Sequence, residues 1–193
     1  MKKIIRYMLG FVLAAAVMAA AGAACWDYVC SRPCFVKMDC RGLGIDVETM
    51  KRWEKREEKG GLGIINMAGW SVGEQQLVSS VSTGRKHLSN VVLVYGSMEL
   101  AVQSQILEGR CGLDVEGNFC VLSEGLARHL FGSTDVTGEC VKTEKQVFLV
   151  AGVTGEEEDI LMIPMESGEV EELAVVFNGR LGAKEKMRRL VEQ

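Results

Sequence analysis

The sequence predicts an α+β fold, with an N-terminal transmembrane helix followed by a mixed helix-and-sheet body. Three observations carry that expectation. Lys2, Lys3 and Arg6 precede an uncharged, mostly apolar run from Tyr7 to Ala24. Beyond it, short apolar runs bounded by glycine and charged residues alternate with segments whose apolar positions recur every three or four residues. The 193 residues are 48% hydrophobic, enough for one real core and too few for a second large domain.

The eighteen residues Tyr7–Ala24, at about 1.5 Å of rise each, make roughly 27 Å of helix, close to the hydrocarbon thickness of a bilayer. The basic head predicts a cytoplasmic N-terminus, and the amphipathic rings of Trp26 and Tyr28 suit the far interface. A cleaved signal peptide explains nearly the same residues. Gly22-Ala23-Ala24-Cys25 also resembles a bacterial lipoprotein box, with Gly22 in place of the usual larger aliphatic residue. All three readings put the body outside the cytoplasm. The expected division is 1–25 as anchor or signal segment, 26–59 as extracytoplasmic linker and helix, and 60–193 as the core domain. Later apolar runs such as Val91–Tyr95 and Gln146–Val153 are too short to span, and one helix forms no conduction pathway alone.

The elements follow in order. Asp46–Glu58 reads as a surface helix capped by Asp46, with Val47, Met50 and Trp53 on one face, ended by Gly60-Gly61. Leu62–Met67 resembles a buried strand, and Gln75–Ser82 an exposed edge strand using Leu77, Val78 and Val81. Val91–Tyr95 is the clearest central strand. Met98–Leu107 reads as a short helix or an irregular crossing. Phe119–Leu122 is a short strand. Ser123 then caps a helix over Glu124–Phe131, whose apolar face is Leu126, Ala127, Leu130 and Phe131 and whose stop is Gly132. Glu139–Thr143 and Gln146–Val153 read as a hairpin. Ile160–Pro164 and Glu171–Phe177 are further strands, and Ala183–Val191 is a final helix with Met187, Leu190 and Val191 inward. Thr154–Glu172 holds eight acids and no base, and reads mostly as solvated loop and edge.

The formal charge of −4 becomes −7 once the three head cations are set aside. That balance argues against a broadly electrostatic nucleic-acid binder. Seven cysteines, at 25, 30, 34, 40, 111, 120 and 140, would be permitted disulfides in an extracytoplasmic body. Spacing assigns no pairs, and the odd total leaves at least one thiol unpaired or modified. Cys30, Cys34 and Cys40 lack the close elbows of a zinc site, and neither histidine is near them in sequence.

Catalytic chemistry finds little support. His129 has only Gly125 and Gly132 at helical spacing, so no local proton partner, and His87 follows Arg85-Lys86 at a basic loop or strand tip. Asp114, Glu116 and Glu124 show no cleft pattern for paired-carboxylate work. Cys120 and Ser123 lack a nucleophile elbow. Gly179–Glu185 has the wrong glycine spacing for a phosphate loop and no Ser or Thr after Lys184. No residue is therefore assigned a catalytic, cofactor-binding or metal role, and no cofactor is expected.

One ordered set of words remains. It runs Ile106-Leu107-Glu108-Gly109-Arg110, Gly117 to Glu124, Ala127-Arg128-His129-Leu130-Phe131-Gly132, Val136-Thr137-Gly138, and Val147 to Val153. Its order and spacing resemble the extracytoplasmic core domain of MacB/FtsX-type ABC transporter permeases. Thr137 departs from the smaller or aliphatic residue expected before that glycine. The resemblance implies a noncatalytic permease-like subunit or fragment that docks partners or relays ATP-driven helix motion. Its implied partners are a separate ABC ATPase, other permease helices or subunits and the membrane, with no nucleic acid. The family has a returning strand and three further helices, which the sequence to Gln193 does not display, so the resemblance implies a truncated, split or free-standing form. A free-standing surface interaction protein or lipoprotein on the same scaffold is the alternative.

Overall fold

A computed structural model describes residues 2–58, 61–102, 105–111, 117–144, 146–179 and 182–192; within the first helix it describes the side chains of 15–28 and Cys30. That helix, α1, covers Lys2–Cys30, and every side chain from Ala15 to Tyr28 is exposed. Among the described residues no helix is long and apolar enough to cross a membrane. The basic head and the first half of Tyr7–Ala24, on which the expected anchor rests, lie outside the described side chains.

The body begins with a strand absent from the sequence reading, β1 at Cys34–Asp39. It follows α1 directly and alternates half-buried with exposed positions, a pattern carried by only three inward residues, Cys34, Val36 and Met38. Helix α2 covers Val47–Glu57, where Asp46 caps it through Thr49 N–H at 2.8 Å and Val47, Met50 and Trp53 are buried. Bonds from the Thr49 side chain and backbone hold the Asp46 carboxyl below its ordinary range. At the other end, the Glu57 carboxylate accepts from Leu62 N, Gly63 N and Ile64 N at 2.8, 2.7 and 3.0 Å. One side chain thus ties the helix end to the start of β2, Ile64–Val72.

Strands β3 (Gln76–Ser80) and β4 (Lys86–Gly96) follow, then a short α3 (Met98–Ala101) and β5 (Ile106–Gly109). Met98–Leu107 therefore divides into helix and strand. Next come β6 (Phe119–Ser123), α4 (Glu124–Phe131), β7 (Cys140–Lys142), β8 (Val147–Thr154), β9 (Ile160–Pro164), β10 (Glu172–Phe177) and α5 (Ala183–Val191). The expected β7–β8 hairpin forms, pairing Cys140 with Leu149 and Lys142 with Val147.

Six strands close on themselves in the order β4, β3, β7, β8, β6, β9 and back to β4. The pairs β6–β8 and β4–β9 are parallel and the rest of the ring antiparallel. Closure makes β3 a paired strand, with β4 on one side and β7 on the other, instead of the exposed edge its uneven alternation predicted. Val78 alone of its three expected apolar positions is fully buried; Leu77 and Val81 face solvent. From β4 a flap of β2, β10 and β1 extends. Strand β10 runs antiparallel to β1, with Phe177 opposite Cys34, and brings the chain back to where it left α1. The expected lack of a returning strand is thereby corrected.

The interior of the ring holds Val78, Val91, Leu122, Phe148, Val150 and Leu161, and α4 plugs it with Leu126, Ala127 and Leu130. Each fully buried leucine there contributes about 2 kcal/mol relative to exposure. Helices α2 and α5 cover one face of the flap through Met50, Trp53, Leu173, Phe177, Met187 and Leu190. A third cluster, with Trp70, Val94, Val121 and Met98, joins flap to ring. The acidic stretch Thr154–Glu172 is not mostly solvated: Leu161, Met162, Met165 and Val170 are buried, because the acids cluster in its connections and β9 closes the ring.

Candidate functional site

The site lies at the ring's mouth beneath α4. Along β4, Ser89 and Val91 are buried on the face that lines the interior, and His87 shares that face one step nearer the rim. The α4 start is set by Ser123, whose hydroxyl accepts from Leu126 N at 3.3 Å and from Ile160 N at 2.9 Å. The helix stop is Gly132, at φ 80°, a left-handed cap that favours glycine. With Leu126 and Leu130 turned inward, His129 is left at the outer edge of the plug, beside the mouth.

The connection between β8 and β9 supplies the third group. Gly125 N donates to Glu156 O at 3.2 Å, and a Cβ on Gly125 would stand 2.2 Å from Glu157 O, so the backbones meet too closely for a side chain. Asp159 O accepts from Asn90 N at 2.9 Å and Ser89 Oγ at 3.1 Å, which locks that residue to β4. Its carboxylate then meets both histidines: Oδ2 to His87 Nε2 and Oδ1 to His129 Nδ1, each 2.8 Å. The two imidazoles stack with centroids 4.1 Å apart and planes 21° from parallel. In neutral rings, the N–H that donates to Asp159 sits on Nε2 of His87 and Nδ1 of His129.

The arrangement joins two imidazoles and one carboxylate from three elements, with one ligand atom from each lying within 4.8 Å of the others. These residues can bond a proton or a metal ion; Ser89 is not poised as a nucleophile, because its hydroxyl bonds the backbone oxygens of Asn90 and Asp159. His129, read from sequence as lacking a partner, has one in Asp159. The contacts span 72 residues for His87 and 30 for His129, separations at which local spacing carries no signal.

The other candidates do not converge. Cys120 is fully buried, and burial pushes its thiol far up. Ser123 is wholly buried and occupied as a cap. Glu124 pairs with Arg128 on the helix surface, Nε to Oε1 at 2.8 Å; Asp114 and Glu116 lie outside the described residues. All seven cysteines are free, and desolvation raises Cys40 to about 11. In the glycine-containing stretch, Gly182 caps α5 and Glu185 pairs with Arg188 and Arg189, while Arg180 and Leu181 lie outside the described residues.

The fold, a closed six-stranded ring with a three-stranded flap, resembles solved structures of transporter and permease domains. The chain is similar to the extracellular domain of a noncanonic ABC-type transporter, YknZ, from Gram-positive bacteria, at 16% identity over 80% of this chain and 88% of that one, TM-score 0.57. It is also similar to the periplasmic region of MacB from Actinobacillus actinomycetemcomitans, at 13% identity over 85% and 83% of the two chains, TM-score 0.62. A permease-protein domain from Porphyromonas gingivalis matches at 17% identity over 72% of each chain, TM-score 0.51. No protein-family model and no curated protein sequence matches the chain.

Proposed function

We propose that this chain is a noncatalytic permease-like subunit or fragment of an ABC transport system, with α1 as a single-pass anchor, a cytoplasmic N-terminus and the body outside. The observation that carries the reading is the fold likeness, which covers 80% and 85% of this chain in the two comparisons. Two features of this chain support it. The α1 side chains from Ala15 to Tyr28, including Val17, Met18 and Trp26, are all exposed and so are left for another phase or chain to cover. The last strand also returns beside the end of α1, where a Cβ on Gly179 would lie 3.2 Å from Cys30 O. A displacement of the anchor would therefore be felt by the flap, which β4 joins to the ring. In that role the domain docks partners or relays helix motion driven by a separate ABC ATPase.

Affinity capture of the full chain from membranes should recover an ABC ATPase or a multispanning permease. Recovery of neither, with the chain intact and membrane-bound, sinks the reading. A second reading, a surface lipoprotein on the same scaffold, is favoured by one observation: Cys25 is exposed and free. Mass measurement of the mature N-terminus separates them, since a diacylglyceryl group on Cys25 supports the lipoprotein and an intact Met1 end supports the anchor.

A further inference from the structure

The geometry points to a binding site for one divalent transition-metal ion of the zinc class, formed by His87 Nε2, His129 Nδ1 and the Asp159 carboxylate. The inference stands independently of the transport reading. Donor convergence comes first: the three ligand atoms lie within 4.8 Å of one another, and both histidine nitrogens already face the same carboxylate at 2.8 Å. A tetrahedral ion with bonds of about 2.0–2.1 Å holds neighbouring ligand atoms roughly 3.3 Å apart. Admitting the ion requires each nitrogen to draw back from its 2.8 Å contact with Asp159 and the two nitrogens to stand at that same separation.

Preorganisation comes second. The aspartate backbone is pinned by Asn90 N and Ser89 Oγ, the rings stack on each other, and the three ligands belong to β4, α4 and the β8–β9 connection. The ligand set is therefore assembled by folding and not by a flexible loop, the condition for affinity without an ordering cost. Each neutral imidazole frees the required lone pair by carrying its proton on the other ring nitrogen, so the metal replaces two hydrogen bonds; the Asp159 carboxylate offsets one of its two positive charges, and the other is left for a solvent or outside donor.

Ligand type decides the class. Two imidazoles with one carboxylate suit Zn2+, Ni2+ or Cu2+, whereas Ca2+ and Mg2+ require more oxygen donors than one aspartate offers. The His129 side chain is 53% exposed, so the fourth position opens to solvent and takes water or a donor from outside. With three elements bridged, the ion acts as a clamp on the plugged mouth of the ring.

The test uses the full chain in detergent, stripped by a chelator and titrated with zinc chloride against a chromophoric competitor. One ion should bind per chain at the site and raise Tm, while calcium and magnesium chloride leave Tm unchanged. His129→Ala, at an exposed helix position, and Asp159→Asn should each weaken that binding by at least about tenfold. Because thiols also bind zinc, a variant with Cys25, Cys30, Cys34 and Cys140 changed to Ser must keep the site. Zinc binding that survives unchanged in folded His129→Ala, that vanishes with those cysteines, or that is absent from the wild-type chain overturns the proposal.

Discussion

Ser123 holds two structures at once, the first turn of α4 and the entry to β9, through bonds from Leu126 N and Ile160 N. Removing its hydroxyl deletes a cap and strands the Ile160 amide, so Ser123→Ala is expected to cost about 2 kcal/mol in denaturant unfolding. The cysteines make a different statement. Burial, then the neighbouring charges of Asp39 and Glu172, raise Cys40 from 9.0 to about 11, and burial followed by Glu99 and Glu156 raises Cys111 equally. The folded chain therefore keeps these protons after the unfolded chain has lost them. Their contribution is intact below pH 9 and is lost as pH rises to about 11. Stability measured across that window should fall less steeply in a Cys40→Ala, Cys111→Ala variant than in the parent. An equal slope would mean that these thiols do not set it. The site residues show why chemistry stayed hidden in the sequence. His129 has glycines at helical spacing, and its partner Asp159 is one acid in a run of four from Glu156.

At the next level, two helices are held at one end by a single side chain that also bonds a strand, α4 by Ser123 and α2 by Glu57. Glu57 does so for α2, accepting three backbone amides at the entrance to β2. In Glu57→Gln one oxygen becomes an NH2 group that confronts an N–H instead of accepting from it. A loss of about 1–3 kcal/mol is expected in thermal or denaturant unfolding; no loss would show that these amides are satisfied otherwise. The elements best anticipated were those with both a cap and a periodic face. Asp46 with Val47, Met50 and Trp53 marks α2, and Ser123 with Leu126, Leu130 and Gly132 marks α4. Strand β1 is hard to read locally because only Val36 of its three inward residues is a strong strand former, and pairing with β10 makes Cys34–Asp39 a strand. Strand β3 reads as an edge from sequence because solvent-facing Leu77 and Val81 blur its alternation.

Across the whole molecule, the ring depends on pairing between distant segments, above all the parallel ladder from Asn90–Ile160 to Val94–Pro164. Amides in β4, β6 and β8 are flanked by strands on both sides, whereas β1 is paired only with β10. Hydrogen exchange should therefore be slowest in those three ring strands, approaching the global unfolding limit, and fastest within the sheet along β1. Uniform protection from β1 to β9 would contradict an independent ring and flap edge. The sequence by itself determined the apolar leader, the capped helices, most strands and their order, because caps, turns and side-chain period act within a few residues. Only the tertiary structure decided that six strands close, that β10 returns beside β1, and that His87, His129 and Asp159 meet. Those outcomes are set by backbone pairing and burial between segments tens of residues apart, which no local pattern encodes.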